Sequence, residues 1–244
     1  MDAKLEDTLR NLRANNFEAE FVENRRAAKE IVSSIVSNAM VVGIADSATI
    51  RQIKIVEALE KRGIKLLNPF TRGLTTDPSK TIIRDQISRE IFSCDVLLAG
   101  TNAVTNDGKL VNVDAVGNRV ASMIFGPRKV LVMVGKNKIV RNVDEALDRI
   151  KNVIAPFHAR TRQFAVPCAQ TGRCIDCNVP KRICSVTTVI EKKPWRTEMT
   201  VILVGEDLGL GWDETWPKHR IEIIKKAYEK ETWVFASAKT PLEV

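Results

Sequence analysis

Long apolar runs, histidines and aromatic side chains are all scarce in this 244-residue chain. The longest apolar runs, such as residues 130–134 and 201–204, have the length of a strand, far below the roughly 20 residues of a membrane-spanning helix. The chain has two histidines and shows no Ser-His-Asp arrangement, so histidine-driven catalysis is not favoured. Aromatic residues make up 5% of the chain and do not alternate with basic residues, which argues against a stacking surface for single-stranded nucleic acid.

Two phosphate-binding signatures and a secretory signal are also missing. Neither GxGxxG nor a P-loop occurs, and the opening MDAKLEDTLR lacks the apolar segment of a signal peptide. We therefore expect a cytoplasmic protein without a membrane span, in which cysteines stay reduced and clustered thiols indicate metal or catalysis. The formal net charge of +8 favours anionic partners, but acidic residues are interleaved with the basic ones, so nucleic acid is not the favoured partner.

Between residues 17 and 154, short β-rich runs alternate with amphipathic helical runs. This pattern predicts an α/β fold with a mostly parallel sheet flanked by helices. We expect a first helix at 4–13, then strands at 17–22, 40–44, 96–99, 130–134 and 199–204. We further expect Asn24 and Asn142 to cap helices, an uninterrupted helix that ends at Gly63, and another that Pro156 ends. A helix that starts at Asp77 should turn Ile82, Ile83, Ile87 and Ile91 toward the core.

The composition divides the chain into three parts. Residues 1–156 form the α/β core, 157–197 form an irregular Cys-rich insertion, and 198–244 hold the last core strand and a C-terminal tail.

Four of the five cysteines lie in the segment PCAQTGRCIDCNVPKRIC. Cys168, Cys174, Cys177 and Cys184 have the spacing C-x5-C-x2-C-x6-C, and a C-x2-C pair with two further thiols suits a tetrahedral metal or an iron–sulfur cluster. Soft thiolates alone fit zinc and iron–sulfur equally well. The fifth, Cys94, ends an apolar helix and is predicted to lie in the core.

Polar residues follow several predicted strands, at the sheet edge where α/β proteins bind ligands. Ser47 can cap a helix or hold an anion, with Thr49 in the first turn. Asn106-Asp107-Gly108 predicts a tight turn. The remaining polar residues of this region offer donors, acceptors and a cation to a polar ligand: Thr101, Asn102, Asn112, Asp114, Asn118, Arg119 and, after the next strand, Lys138.

The run LLAGTNAVTNDGKLVNVDAVGNRVASMIFGPRKVLVMVGKNKIV, with the cysteine segment and VILVGEDLG, resembles the LUD (lactate utilisation) domain family, in particular a subset with a C-terminal four-cysteine loop. The resemblance covers about residues 5–210. It implies a fold like that of ribose-5-phosphate isomerase, glucosamine-6-phosphate deaminase and the CoA transferases. It also implies an association with the oxidation of lactate to pyruvate.

The resemblance places the family's site residues on this chain. They are Ser47, Thr49, Thr101, Asn102, Asn112, Asp114, Asn118, Arg119, Asn137 and Lys138. The link to redox metabolism favours a 4Fe–4S cluster over zinc on the four cysteines.

Three functional hypotheses follow. The first is a component of an oxidoreductase system for lactate or related hydroxy acids, which binds a small anionic metabolite, pairs Arg119 with its anion and works with iron–sulfur subunits. The second is a non-redox isomerase, transferase or ligand-binding protein with a structural zinc, in which Asp114 is the general base and Arg119 a further catalytic candidate. The third is a regulatory module that binds nucleic acid through its positive charge. Each of the three hypotheses is compatible with a homo-oligomer.

Overall fold

A computed structural model describes residues 2–239 of the chain. Its helices are Ala3–Ala14 (α1), Arg25–Ile35 (α2), Ala48–Ile53 (α3), Ile55–Lys61 (α4), Arg72–Thr75 (α5), Thr81–Glu90 (α6), Asn118–Ile124 (α7), Val143–Arg149 (α8), Ala155–Arg162 (α9), Cys168–Thr171 (α10), Lys218–Lys230 (α11) and Ala236–Lys239 (α12). Its strands are Glu18–Val22 (β1), Val41–Ile44 (β2), Lys65–Leu67 (β3), Val96–Gly100 (β4), Ala103–Thr105 (β5), Leu110–Asp114 (β6), Lys129–Gly135 (β7), Ile139–Val140 (β8), Val186–Ile190 (β9) and Glu198–Val204 (β10). In this part of the chain no helix is both long and apolar enough to cross a membrane.

A six-stranded sheet in the order β1-β10-β7-β4-β2-β3 forms the centre, and all of its strand pairs are parallel. Every residue of β4 is buried, as are nearly all of β7 and β10, because apolar clusters cover both faces of the sheet. Uninterrupted apolar strands are typical of such a doubly covered parallel sheet. The predicted α/β class is confirmed.

A second, four-stranded sheet, β8-β5-β6-β9, lies at the carboxyl end of the first. The predicted turn at Asn106-Asp107-Gly108 joins β5 to β6, and Gly108 has φ of +81°. A Cβ there would lie 2.5 Å from the backbone carbon of Asn11 in α1. Glycine is therefore required where α1 packs against the turn.

Three predictions about helices are wrong. The helix expected to run uninterrupted to Gly63 breaks at Lys54, which adopts a left-handed conformation with φ of +59°. Ile82 and Ile83 of α6 are 80% and 49% exposed instead of facing the core. Pro156 does not end a helix, because the π-helical turn Ile150–Ile154 precedes it and the chain continues as α9. A π turn already interrupts the regular hydrogen bonds, so the missing proline N–H costs little there.

The segment 157–197 is less irregular than expected. It contains most of α9, which begins at Ala155, together with the short α10 and β9, and β9 pairs antiparallel with β6. The division of the chain at residues 156 and 197 stays a prediction.

Candidate functional site

A cavity of about 460 Å³ opens at the carboxyl ends of β2 and β4. Parallel neighbouring strands end at one edge of a sheet, so the loops that follow them meet there. Of the ten residues predicted to bind a ligand, seven line this cavity: Ser47, Thr101, Asn102, Asp114, Asn118, Arg119 and Lys138. The other three, Thr49, Asn112 and Asn137, lie behind its wall and are buried.

Arg119 holds the loops of the cavity together. Its guanidinium donates to the carbonyls of Gly100 at 3.3 Å and Val113 at 2.9 Å. It also donates to the amide oxygens of Asn112 at 2.7 Å and Asn102 at 3.1 Å, and its Nε lies 3.6 Å from Asp114 Oδ2. Both terminal nitrogens of Arg119 are therefore already hydrogen-bonded within the protein, whereas the sequence-based hypothesis pairs them with the ligand's anion.

Several other predicted residues have defined local partners. Ser47 caps α3, since its hydroxyl accepts from the N–H of Ile50 at 3.4 Å. Asp114 Oδ2 accepts from the N–H of Val120 at 3.3 Å near the start of α7. Both side chains still face the cavity, so these contacts fix their positions there.

Asn137 fastens the C-terminal segment to the core. Its side-chain amide donates to the carbonyl of Gly211, and its oxygen accepts from the N–H of Leu208, both at 2.9 Å. These bonds account for its burial away from the cavity.

Lys138 is buried in the wall of the cavity. Its ammonium donates to the Thr49 hydroxyl at 3.0 Å and to the Thr101 carbonyl at 2.8 Å. Burial and the positive charge of Arg119 lower the pKa of Lys138 to about 7. An ordinary lysine titrates near 10.4, so this amine is partly neutral at physiological pH.

An arginine from α9 reaches the same cavity. Arg162 is 1% exposed, and its Nη2 lies 3.2 Å from Asp46 Oδ1. The ring centroid of Phe235 lies 3.9 Å from its Cζ. Among the described residues, the Nε and Nη1 of Arg162 have no hydrogen-bond partner. Buried donors are nearly always paired, so two unpartnered nitrogens on one enclosed guanidinium are exceptional, and an acceptor that reaches them from the cavity has to displace part of the surrounding wall.

Asp46 balances part of this positive charge. Burial raises the pKa of its carboxyl, but the charges of Arg162 and Arg51 and a 2.7 Å hydrogen bond from Arg51 outweigh it. The pKa of Asp46 is therefore held well below its usual range. The carboxylate stays ionised beside the two guanidinium groups at every pH of interest.

His158, one turn before Arg162 in α9, also lines the cavity. Its Nδ1 lies 2.5 Å from the Tyr228 hydroxyl, and its ring stacks on Phe164. Burial, followed by the charge of Arg162, lowers the pKa of His158 to about 3. The imidazole is thus neutral at pH 7. Local sequence patterns do not indicate His158 or Arg162 as site residues, since both reach the cavity only because the helix continues past Pro156.

The cysteine loop borders the cavity through Ile183, which contributes to its lining. Burial raises the pKa of Cys168, and the charges of Cys177, Cys184 and Cys174 raise it further. Arg182 braces the loop by donating to the carbonyls of Cys177 at 2.8 Å and Cys184 at 3.3 Å. All four thiols are free. Within residues 2–239, no three His, Cys, Asp or Glu side chains are grouped closely enough to hold a metal ion.

The family model of the LUD domain matches residues 5–204. The chain belongs to the LUD domain family. This family is associated with lactate utilisation. No curated protein matches the chain at a significant level.

Three solved structures resemble the LUD chain. A DUF162 family protein from Deinococcus radiodurans has 15% identity and a TM-score of 0.49, over 82% of this chain and 96% of that one. Ribose 5-phosphate isomerase from Plasmodium falciparum has 13% identity and a TM-score of 0.32, over 48% and 52% of the two chains. Ribose 5 phosphate isomerase A from Neisseria gonorrhoeae has 15% identity and a TM-score of 0.32, over 58% and 65%. Likenesses this low carry no argument about function.

Proposed function

We propose that the cavity binds a small anionic metabolite, carboxylate or phosphorylated, and that Arg162 receives its anion. The observation that carries this proposal is the pair of unpartnered donors, Nε and Nη1, on a guanidinium that is 1% exposed. A carboxylate or phosphate oxygen matches such donors, and charge-assisted hydrogen bonds of this kind are about twice as strong as neutral ones.

The charge of the cavity supports the same ligand class. Five basic side chains line it, Arg51, Arg84, Arg119, Arg162 and Lys138, against three acidic ones, Asp46, Asp85 and Asp114. The Nε of Arg84 is also buried and has no partner in the described structure. An anion therefore enters a positive environment that still has free donors.

Binding can be measured by isothermal titration with L-lactate, pyruvate and dihydroxyacetone phosphate. We expect Arg162→Gln to weaken the binding of whichever anion binds by about 10- to 100-fold, because it removes one or two charge-assisted hydrogen bonds. The matched control is Arg160→Gln, which changes an exposed arginine of the same helix. Equal affinities in the two variants, both folded by circular dichroism, would reject Arg162 as the anion's partner.

We also propose that the LUD chain acts in a cytoplasmic oxidoreductase system for lactate or a related hydroxy acid, with iron–sulfur subunits as partners. The support is the family's association with lactate utilisation, together with five free cysteines, as expected where thiols stay reduced.

Cys168, Cys174, Cys177 and Cys184 are the residues that would hold a 4Fe–4S cluster, and a bound cluster would supply electron transfer beside the cavity. The donor set fits in its chemistry, because four free, partly buried thiols lie in one loop that Arg182 braces. Binding requires the loop to close further, since its thiols are not yet grouped as metal ligands.

Metal analysis of protein purified anaerobically tests this assignment. We expect about four iron atoms and as many sulfides per chain, with the visible absorption of a cluster. Cys177→Ala should lose the metal. Cys94→Ala should keep it, because Cys94 is buried away from the loop and burial raises its pKa to about 11. A colourless sample with about one zinc per chain would contradict the assignment of an iron–sulfur cluster and favour the non-redox alternative.

A further inference from the structure

Lys138 has an unusual set of contacts for a buried lysine. It is 6% exposed, and its Nζ has two hydrogen-bond acceptors, the Thr49 hydroxyl and the Thr101 carbonyl. In the described part of the chain no carboxylate forms an ion pair with it, and the charged group that acts on it is the cationic Arg119. Buried lysines usually have a counter-ion, so this environment favours the neutral amine.

The number of acceptors fits a neutral amine. An ammonium has three N–H donors, whereas a neutral amine has two and one lone pair. The two contacts of Nζ satisfy both donors of the neutral form and leave the lone pair uncommitted. The lowering of the pKa of Lys138 to about 7, by burial and then by Arg119, agrees with this geometry.

The backbone at Gly209 keeps the amine in place. Gly209 has φ of +72°, and a Cβ there would lie 2.8 Å from Lys138 Nζ and 2.4 Å from Thr49 Oγ1. A side chain at this position would displace both groups. Glycine thus lets the C-terminal segment approach the amine closely, and Gly209 and Lys138 both line the cavity.

We propose that Lys138 forms an imine with the carbonyl carbon of a small anion that carries a ketone or aldehyde group. This inference rests on the proposed function, in which Arg162 receives the anionic end of the same molecule. Desolvated lysines of this kind are the ones that react as nucleophiles with carbonyl substrates.

The step balances without an oxidant or reductant. The lone pair of Nζ forms the C–N bond, and the π electrons of the carbonyl move to its oxygen. Nζ loses a proton, the oxygen gains one, and the resulting carbinolamine takes a further proton from solvent and releases water. One neutral amine, one carbonyl compound and one proton give one protonated imine and one water.

Reductive trapping tests the inference on the full chain. The protein is incubated with pyruvate or with dihydroxyacetone phosphate and with cyanoborohydride, then digested and mapped by mass spectrometry. These two probes distinguish a 2-oxo acid from a phosphorylated ketone. With pyruvate, we expect Lys138 to gain the mass of one pyruvate less one oxygen atom.

Lys136 is the internal control, because it is exposed and lies in the same short turn. Burial lowers the pKa of Lys138 to about 7, so a large share of this amine is neutral at pH 7, and labelling of Lys138 should exceed that of Lys136 by more than about tenfold. The comparison is made within the wild-type protein, so it does not depend on the folding of a variant. Lys138→Met should abolish the label, and Lys136→Met should retain it.

The outcomes separate this inference from the proposed function. If titration shows that either probe binds but no label appears on Lys138, imine formation is wrong and the anion site stands. Labelling spread evenly over the lysines also overturns it. If neither probe binds and neither labels Lys138, both this inference and these ligand classes are rejected.

Discussion

At the scale of single residues, two arginines at the cavity differ in how their donors are used. Arg119 donates hydrogen bonds to four oxygens of the surrounding loops. Arg162 keeps two donors without partners in the described structure. Sequence patterns identify Arg119, because it stands in a polar run after a strand, but they do not show which guanidinium is still free. The three-dimensional contacts distinguish the two side chains, and on that basis we propose Arg162 as the anion's partner.

His158 gives a pH prediction at the same scale. Its pKa is about 3 in the native protein, against 6.5 for an ordinary histidine, so the unfolded chain takes up one more proton between these values. The free energy of unfolding should therefore fall as the pH falls from 6.5 to 3, by up to about 1.4 kcal/mol per pH unit. We expect His158→Gln to flatten this dependence in urea unfolding curves. The control His219→Gln, at an exposed histidine, should leave it unchanged; an identical slope in both variants would show that His158 is not buried neutral.

At the scale of elements, local chemistry predicts most of the sheet and its caps. Apolar runs gave the strands β2, β4, β7 and β10, and the side chains of Asn24 and Asn142 cap α2 and α8 as expected. Local patterns fail where tertiary structure decides. No local sequence pattern indicates the break of the helix at Lys54. None indicates strand β9 either, because its partial burial comes from pairing with β6.

Helix α6 is a clearer case in which the local sequence pattern does not predict burial. Its isoleucines recur at helical spacing, which predicts a buried stripe, yet the helix has no buried residue. Thr81, Arg84, Asp85 and Ser88 of this helix line the cavity instead. The sequence places seven of the cavity-lining residues at a sheet edge, and their role as ligand-binding residues stays a prediction. Arg162 and His158 reach the cavity through a helix that local rules end at Pro156.

The contacts of Arg119 predict a structural effect between elements. It joins the end of β4 to β6 and α7, so Arg119→Met should lower the free energy of unfolding by about 2–4 kcal/mol. Thermal and urea unfolding check this, with Arg196→Met at an exposed position as the control, expected within about 0.5 kcal/mol of wild type. Unchanged stability together with lost ligand binding would restore Arg119 as the anion's direct partner.

At the scale of the whole molecule, the sheet edge brings together the cationic cavity, a buried amine and the cysteine loop. Arg162 and Lys138 line one cavity, and Ile183, next to Cys184, contributes to its wall. We predict that the cationic side chains bind the metabolite, that Lys138 reacts with its carbonyl group and that the four cysteines of the loop hold the redox centre. Each part has a separate readout: binding, trapping and metal content.

A crystal structure with bound pyruvate or dihydroxyacetone phosphate decides whether Arg162 receives the anion. We predict carboxylate or phosphate oxygens about 3 Å from the Nε and Nη1 of Arg162, the two donors that lack partners in the described chain. An anion bound outside this cavity, or bound within it while both donors stay free, would contradict the account.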